Sequence, residues 1–261
     1  MRRLDPASTR FLRSDGPIAL AHRGGAAYAP NVGLENTLVA FQNALALGVT
    51  HLETDVHTSA DGVVFAFHDA HLDRLTAASG AIASLPAARV RRARVGGREP
   101  VPELRDLLDE LPGALFNIDV KSDAAVEPTV QVLREAGAVD RVCLASFSHR
   151  RLARLRTLLP DVATSLSPPE IGLLRGGATA GLRAAGVRAG GVCVQVPPRW
   201  GPVRVVDERF VRHAHDLGLP VHVWTVDDPR EMTRLLDLGV DGIVTDRIDS
   251  LVTLLDERRA A

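Results

Sequence analysis

The chain has 261 residues, 46% of them hydrophobic and 24% charged, and its formal net charge is -1 at pH 7. This length suits one large α/β barrel or two modest domains, and the composition is that of an ordinary soluble globular protein. The near-neutral charge without a long basic run argues against nucleic acid as a partner and favours small molecules, and no run of 18 apolar residues is present that could form an integral membrane segment.

Short apolar runs alternate with amphipathic segments along the chain. The strand candidates are residues 17–22, 51–56, 63–68, 115–121, 141–147, 162–167, 191–196, 221–226 and 242–246. Most of the segments between them have a helical period, and several close on a glycine, as helix C termini prefer. Repeated strand–helix–strand order predicts parallel pairing with right-handed crossovers.

The third candidate breaks this pattern. The link TSADG at 58–62 is too short for a crossover and predicts a tight hairpin, so 63–68 runs antiparallel to 51–56. The eight strands that remain are the number that closes a (β/α)8 TIM barrel, an α/β fold. An open doubly wound sheet is the alternative, but no Gly-x-Gly-x-x-Gly turn follows the first strand. We expect a single TIM-barrel domain over 1–261, with a β-hairpin after the second strand and a short loop-rich insertion at about 70–103 near the barrel mouth.

The two cysteines lie inside apolar runs far apart in the sequence. Cys143 and Cys193 have neither the spacing of a disulfide framework nor that of a metal site, which predicts two buried thiols. The first 16 residues are basic but lack an apolar stretch of signal-peptide length, so we expect a cytoplasmic protein. No motif indicates an oligomeric state.

Three carboxylates are expected to meet inside the barrel near its carboxyl-end rim. Strand parity in HLETDVH (51–57) places Glu53 and Asp55 on one face, and in FNIDVK (116–121) it places Asn117, Asp119 and Lys121 on one face. Buried like charges need a cation, a shared proton or a cage of hydrogen bonds. Because these ligands are oxygens, Mg²⁺ or Ca²⁺ is favoured over zinc. The alternative is a structural cluster in which Lys121 pairs with Asp119 or Glu53.

Two histidines and two cationic side chains belong to the same rim. His22 closes the first strand, and His68 closes the hairpin. Arg23 follows His22, and Lys121 is the only lysine among 31 lysines and arginines, which indicates a position that needs a compact ammonium. A guanidinium and an ammonium beside a metal ion form a phosphate-binding arrangement.

With these motifs in this order, the chain resembles the glycerophosphodiester phosphodiesterase family. The resemblance rests on AHRG (21–24), ENTLVAF (35–41), ETDVHTSADGVVFAFHDAHLDRLT (53–76), FNIDVK (116–121), SF (146–147), VWTV (223–226) and GVDGIVTD (239–246). It implies a TIM barrel that cleaves glycerol phosphodiesters into glycerol 3-phosphate and an alcohol, using one divalent cation and two histidines.

Carried over residue by residue, the resemblance assigns roles to the candidate site. It implies a metal site of Glu53, Asp55 and Asp119, acid–base catalysis by His22 and His68, phosphate contacts from Arg23 and Lys121, and an aromatic pocket wall at Trp224. The cation would be Mg²⁺ or Ca²⁺, with Mn²⁺ also possible. One histidine would take a proton from the attacking oxygen, which is either the glycerol 2-hydroxyl or water, while the other protonates the leaving alcohol.

The chain departs from the family pattern at two positions. Asp119 stands where the family usually has glutamate, which puts the depth of the metal, its affinity and the choice of ion in question. Leu34 precedes ENT where the family favours proline, and because a helix begins there we expect little chemical consequence.

Three other functions stay open. A lysophospholipase D would use the same residues on a diester with an acyl chain, but it needs an apolar channel, and the segment 70–103 offers little apolar lining. A metal-dependent amidohydrolase would draw on His51, Glu53, Asp55 and His57 on one strand face, but the His-x-His pair on the first strand is missing. A non-catalytic phosphate-binding barrel would be expected to lack a histidine or an acid of the site, and none is missing.

Overall fold

A computed structural model describes residues 4, 6, 9–177, 179, 181, 183–184 and 190–260. In chain order its strands are β1 (Ile18–Ala21), β2 (His51–Thr58), β3 (Val64–Ala66), β4 (Arg94–Val95), β5 (Glu99–Pro100), β6 (Leu115–Val120), β7 (Val142–Ala145), β8 (Ala163–Thr164), β9 (Val194–Val196), β10 (Arg199–Trp200), β11 (Val203–Arg204), β12 (Val221–Val223) and β13 (Gly242–Thr245).

The helices of the described residues follow the strands in alternation. They are α1 (Leu38–Ala46), α2 (Ala87–Val90), α3 (Leu104–Glu110), α4 (Val126–Glu135), α5 (His149–Leu158), α6 (Pro168–Gly176), α7 (Glu208–His215), α8 (Pro229–Asp237) and α9 (Ile248–Ala260). Several begin at a short polar residue: Thr37, Ser148 and Asp207 each accept a backbone N–H of the first turn with the side chain, which stabilises the helix start.

Eight parallel strands form the central sheet, in the order β8-β7-β6-β2-β1-β13-β12-β9. A parallel bridge between Ser165 and Cys193 joins the two ends of this order, with Leu166 N–H donating to the Cys193 carbonyl at 2.9 Å. The strands therefore follow one another around a ring in sequence order, which is the TIM-barrel topology and not the reversed order of a doubly wound sheet. β3 pairs antiparallel with β2, so the hairpin is confirmed as well.

Apolar side chains fill both the space outside the barrel and its amino-terminal end. One cluster lies between β2, β6 and the helices near them, and a second lies between β12, β13 and α7 to α9. Phe11 closes the end of the barrel opposite the site, where its carbonyl accepts a hydrogen bond from His51 Nε2 at 2.9 Å. Cys143 and Cys193 belong to this plug as buried free thiols, as predicted, with their Sγ atoms 3.7 Å apart.

The insertion is more ordered than the sequence indicated. It contains a 3₁₀ turn at Ile82–Ser84, helix α2 and the β4–β5 ribbon, and these pack around a small core of their own that includes Phe65, Phe67 and Val90. Elements of two to four residues are too short to produce a hydrophobic period, which is why the sequence predicted loops.

Several predicted strands extend past the hydrogen-bonded ladders at their carboxyl ends, whereas β2 continues beyond its predicted end at residue 56 to Thr58. The candidate 141–147 pairs only over Val142–Ala145, and 162–167 only over Ala163–Thr164. The residues that follow these two ladders, 146–147 and 165–166, line the cavity at the barrel mouth. In the described part of the chain, no helix has the length and apolar character needed to cross a membrane.

Candidate active site

A cavity of about 390 Å³ opens at the carboxyl ends of the barrel strands. Seven of the eight predicted site residues line it: His22, Arg23, Glu53, His68, Asp119, Lys121 and Trp224. The eighth, Asp55, lies behind this wall with 2% of its surface exposed, where it contacts Lys121 and Asn36. The structure therefore brings all eight side chains into one connected group.

The turn after β1 presents His22 and Arg23 to the cavity. Arg23 adopts a left-handed conformation at φ 50°, which is unfavourable for a side chain with a Cβ and is typical of functional sites. Its backbone N–H donates to Glu53 Oε2 at 3.0 Å, and this bond fixes the turn. Gly24 follows at φ 90°, and a Cβ there would lie only 2.8 Å from the Cβ of Ala40. The glycine therefore lets α1 approach the turn closely.

His22 is held between two carboxylates. Its Nδ1 atom lies 2.9 Å from Asp246 Oδ1, and its Nε2 atom lies 4.0 Å from Glu53 Oε2. Burial works to lower the pKa of His22, but the Asp246 hydrogen bond and the charges of Glu53 and Asp246 outweigh it and raise that pKa above its usual value. The imidazole is therefore suited to hold a proton near neutral pH.

Hydrogen bonds hold both the side chain and the backbone carbonyl of His68 in place. Its Nδ1 atom lies 2.6 Å from Asp69 Oδ1, and its carbonyl accepts a hydrogen bond from His57 Nε2 at 3.0 Å. In both rim histidines a carboxylate thus engages Nδ1, which leaves Nε2 as the atom for proton transfer with a substrate.

Lys121 connects the carboxylates of two neighbouring strands. The parallel register places Asp55 opposite Asp119, and Lys121 Nζ lies 2.7 Å from Asp55 Oδ1 and 2.7 Å from Asp119 Oδ2. Burial raises the pKa of the Asp119 carboxyl, and Lys121 only partly opposes the rise. At Asp55 burial is outweighed by Lys121, so the pKa of that carboxyl is lowered. One ammonium therefore does not neutralise both groups.

The acidic group carries charge that Lys121 does not fully compensate. Burial, followed by the charge of Asp55, raises the pKa of Glu53 to about 7, and the buried Oδ1 atom of Asp119 has no hydrogen-bond partner. Across the described ranges, no three His, Cys, Asp or Glu side chains are gathered as a ready-made metal centre. The donors are nevertheless oxygens with uncompensated charge, which is the chemistry that hard divalent ions prefer.

Two residues before α1 support the cationic side of the site. Glu35 accepts from Arg23 Nη1 at 3.1 Å, while Arg23 Nε lies 3.5 Å from Asp55 Oδ2 without a hydrogen bond. Asn36, at φ 60°, donates to Asp55 Oδ2 at 3.3 Å and accepts from Thr54 Oγ1 at 2.7 Å. Glu35 and Asn36 do not line the cavity; they orient the Arg23 side chain and the Asp55 carboxylate.

One side of the cavity is largely apolar. Trp224 packs edge to face against Phe147, with ring centroids 5.7 Å apart, and the lining continues through Leu166, Ile171, Val196, Trp200 and Val205. The segments that follow β8 and β9 supply most of these residues. The lining suits an uncharged or hydrocarbon group better than a charged one.

Sequence reasoning missed several residues of the site. Asp246 follows β13, and its position at the carboxyl end of a barrel strand could have identified it as a site residue. Asn117 was expected on the same strand face as Asp119 but was assigned no role; its Oδ1 accepts from Gln195 Nε2 at 2.8 Å on the cavity floor. Asp69 and Arg74 lie at the start of the insertion, where no periodic pattern was available to place them.

Comparisons with known proteins agree with this arrangement. Residues 22–250 match the model of the "Glycerophosphoryl diester phosphodiesterase family". A Mycobacterium tuberculosis protein named probable glycerophosphodiester phosphodiesterase 2 is 42% identical over 259 residues, covering 96% of this chain and 95% of its own. A crystal structure from Silicibacter pomeroyi with the same family name matches with a TM-score of 0.79 and 28% identity, over 94% of this chain and 95% of that one.

The fold is also shared with a more distant solved structure. A phosphodiesterase from Oleispira antarctica, in complex with the product sn-glycerol-3-phosphate, matches with a TM-score of 0.78 at 22% identity. The match covers 92% of this chain and 97% of that one.

Proposed function

The chain belongs to the glycerophosphoryl diester phosphodiesterase family, and from this premise we propose how it acts. It is a phosphodiesterase that cleaves glycerophosphodiesters to glycerol 3-phosphate and an alcohol. His22 and His68 are its acid–base pair, and Glu53, Asp55 and Asp119 hold one divalent cation, Mg²⁺ or Ca²⁺. The observation that carries the proposal is that two histidines, each with Nδ1 on an aspartate, share one cavity with Arg23 and Lys121.

The cationic side chains bind the phosphate. Arg23 and Lys121 both line the cavity, and Arg23 donates to Glu35 only through Nη1, so we infer that the remaining terminal N–H groups of Arg23 and the ammonium of Lys121 contact the non-bridging phosphate oxygens. Charge-assisted hydrogen bonds of this kind strengthen as negative charge develops on the phosphoryl oxygens. The two residues thus stabilise the transition state as well as the bound diester.

The histidines move the two protons of the reaction. One imidazole accepts the proton of the attacking oxygen, which is the glycerol 2-hydroxyl or water, and the other donates a proton to the leaving alkoxide. If the 2-hydroxyl attacks, a cyclic phosphate forms as the alcohol leaves, and the histidines then exchange roles while water opens the ring to glycerol 3-phosphate. The carboxylates on Nδ1 keep each ring in a fixed orientation. Asp246 does this for His22, and Asp69 does it for His68.

A bound divalent ion would supply further charge neutralisation at the phosphate. Two observations support a bound ion. The Oδ1 atom of Asp119 has no hydrogen-bond partner, and burial, together with the charge of Asp55, raises the pKa of Glu53 to about 7. Lys121 bonds one oxygen of Asp55 and one of Asp119, so the ion would share these carboxylates with the ammonium.

A panel of glycerophosphodiesters tests the function. Release of glycerol 3-phosphate from glycerophosphocholine, glycerophosphoethanolamine and glycerophosphoglycerol is measured with Mg²⁺, Ca²⁺, Mn²⁺ or a chelator. We expect release that needs a divalent ion. No release from any diester with any ion would contradict the assignment and favour the non-catalytic phosphate-binding barrel.

The apolar side of the cavity favours a second candidate, a lysophospholipase D. The sequence offered little apolar lining in the insertion at 70–103, and the apolar residues of the cavity belong instead to the segments around and after β8 and β9. Comparing lysophosphatidylcholine with glycerophosphocholine as substrate separates the two activities. A Trp200→Ser variant should slow the reaction with the acylated substrate much more than that with the short one.

A further inference from the structure

Arg74 uses one guanidinium to hold two carboxylates at once. Its Nη1 and Nη2 atoms donate to Glu35 at 3.0 and 2.7 Å. Its Nε and Nη2 atoms donate to Asp69 at 2.6 and 3.2 Å. Both contacts are bidentate, the geometry that gives an arginine–carboxylate pair its directional strength.

Each of these carboxylates leads to a different part of the active site. Asp69 Oδ1 lies 2.6 Å from His68 Nδ1, and Glu35 Oε1 accepts from Arg23 Nη1 at 3.1 Å. Arg74 is therefore the centre of a continuous chain that runs from the acid–base residue His68 to the phosphate-binding residue Arg23.

On the side of His68, Arg74 holds the Asp69 carboxylate in place, and Asp69 in turn orients the His68 ring. The Arg74 hydrogen bond, ahead of that from His68, lowers the pKa of Asp69 to about 2. The carboxylate thus stays charged, and because two N–H groups hold its plane, it can hold the imidazole in one orientation. Asp69 is otherwise on a partly exposed loop, where its side chain would be free to turn.

On the side of Arg23, Arg74 decides how much of the phosphate-binding guanidinium remains free. Glu35 is 8% exposed, and its charge needs compensation. Arg74 bonds both of its oxygens, so Arg23 contributes only one N–H to Glu35. Without Arg74, Glu35 would draw Arg23 into a bidentate pair and away from the phosphate.

We propose that Arg74 is a positioning residue that aligns His68 and Arg23 together, through Asp69 and Glu35. The inference rests on the proposed function, because it is tested by measuring the turnover of a glycerophosphodiester. Arg74 comes from the insertion, so this segment contributes to catalysis although none of the residues 70–103 lines the cavity.

Kinetics of R74A, R74K, D69N and E35Q with glycerophosphocholine test the proposal. We expect R74A to lower kcat/KM on the order of 10- to 100-fold, as is usual when a residue that orients a catalytic group is lost. D69N should act mainly on kcat through His68, E35Q should act mainly on KM through Arg23, and R74A should change both. R74K should stay well below wild type, since an ammonium cannot bond both carboxylates with a planar fork.

Two further measurements separate positioning from stability. Low concentrations of guanidinium chloride should restore part of the activity of R74A, whereas methylammonium chloride should not. The double variant R74A/D69N should lose little more than the more severe of the two single variants, because both changes break the same chain of contacts.

Arg105 offers a matched control. It is 43% exposed in its side chain, against 45% for Arg74, and it also pairs with two carboxylates, Asp109 and Glu135, but lies outside the cavity. We expect R105A to keep full activity. If R74A behaves as R105A does, or if its loss is additive with D69N and does not respond to guanidinium, the positioning role is wrong. An inactive wild type would instead contradict the proposed function itself.

Discussion

Replacing the single lysine by methionine should destabilise the protein in a pH-dependent way. Lys121 bonds Asp55 and Asp119 at 2.7 Å each, and these carboxylates are 2% and 7% exposed. Burial opposes the charge of Lys121, but the two carboxylates outweigh it and raise its pKa from 10.5 to about 12. This rise corresponds to about 2 kcal/mol of stability. Lys121→Met also leaves two buried like charges facing each other, so the total loss at pH 8 should be about 3 to 5 kcal/mol.

The sign of the pH dependence follows from the same groups. The folded-state pKa of Lys121 is raised, so its contribution is present in full below 10.5 and is lost as the pH rises through about 12. In K121M the two carboxylates lose their cation, and their folded-state pKa values rise above the unfolded ones. This penalty is absent when both are protonated and grows as the pH increases.

Chemical unfolding followed by circular dichroism measures the difference. The free energy of unfolding of wild type, K121M and K121R is compared at pH 5 and pH 8 without added metal. We expect the gap between wild type and K121M to widen from pH 5 to pH 8, while K121R, which keeps a positive charge, changes less with pH. A loss of under about 1 kcal/mol at pH 8, the value of an exposed ion pair, would refute the reasoning, as would an equal loss at both pH values.

Three further predictions concern turnover. His22→Ala and His68→Ala should each lower kcat on the order of 10²- to 10⁴-fold with glycerophosphocholine, and near-full activity in both would refute the acid–base pairing. Asp246→Asn removes the charge of the carboxylate and weakens its hydrogen bond to His22, both of which raise the pKa of His22, so one limb of the bell-shaped profile of kcat/KM should move to lower pH. A profile identical to that of wild type would exclude His22 from the titration. Chelation should abolish turnover, and added Mg²⁺ or Ca²⁺ should restore it. Asp119→Glu should change the relative activity with the two ions. Activity that survives exhaustive chelation would contradict the metal requirement.

The regular part of the fold was readable from the sequence because its pattern is periodic. The alternation of strands and helices predicted the barrel, and strand parity predicted that Glu53, Asp55 and Asp119 would share the interior. Of the two partners that the sequence offered for Lys121, Asp119 and Glu53, the structure has the pair with Asp119, and it adds a pair with Asp55. Strand parity predicts the face on which a side chain lies. Which of the nearby acids Lys121 contacts depends on its rotamer, and that rotamer depends on packing.

The supporting residues were not readable in this way. Asp69 and Arg74 act through contacts between a loop and the rim, and such contacts leave no periodic signal. The strain at Arg23 and Asn36 was equally hidden, because a left-handed conformation at a residue other than glycine contradicts local preference and persists only where tertiary contacts enforce it. The acids and histidines of a site can therefore be found from the sequence more readily than the groups that orient them.

The difference between lysine and arginine explains why one lysine persists in an arginine-rich chain. Lys121 Nζ occupies the space between two carboxylates on adjacent strands, both 2.7 Å away, and lies 5.9 Å from the centroid of the Phe147 ring. A guanidinium is a broad planar fork, and it would have to displace either the ring or one of the acids to make both contacts. At Arg74 the requirement is the reverse, since only a fork can hold two carboxylates by two N–H groups each. The choice of cation at each position thus follows from the number of oxygens to be bound and the width of the space between them.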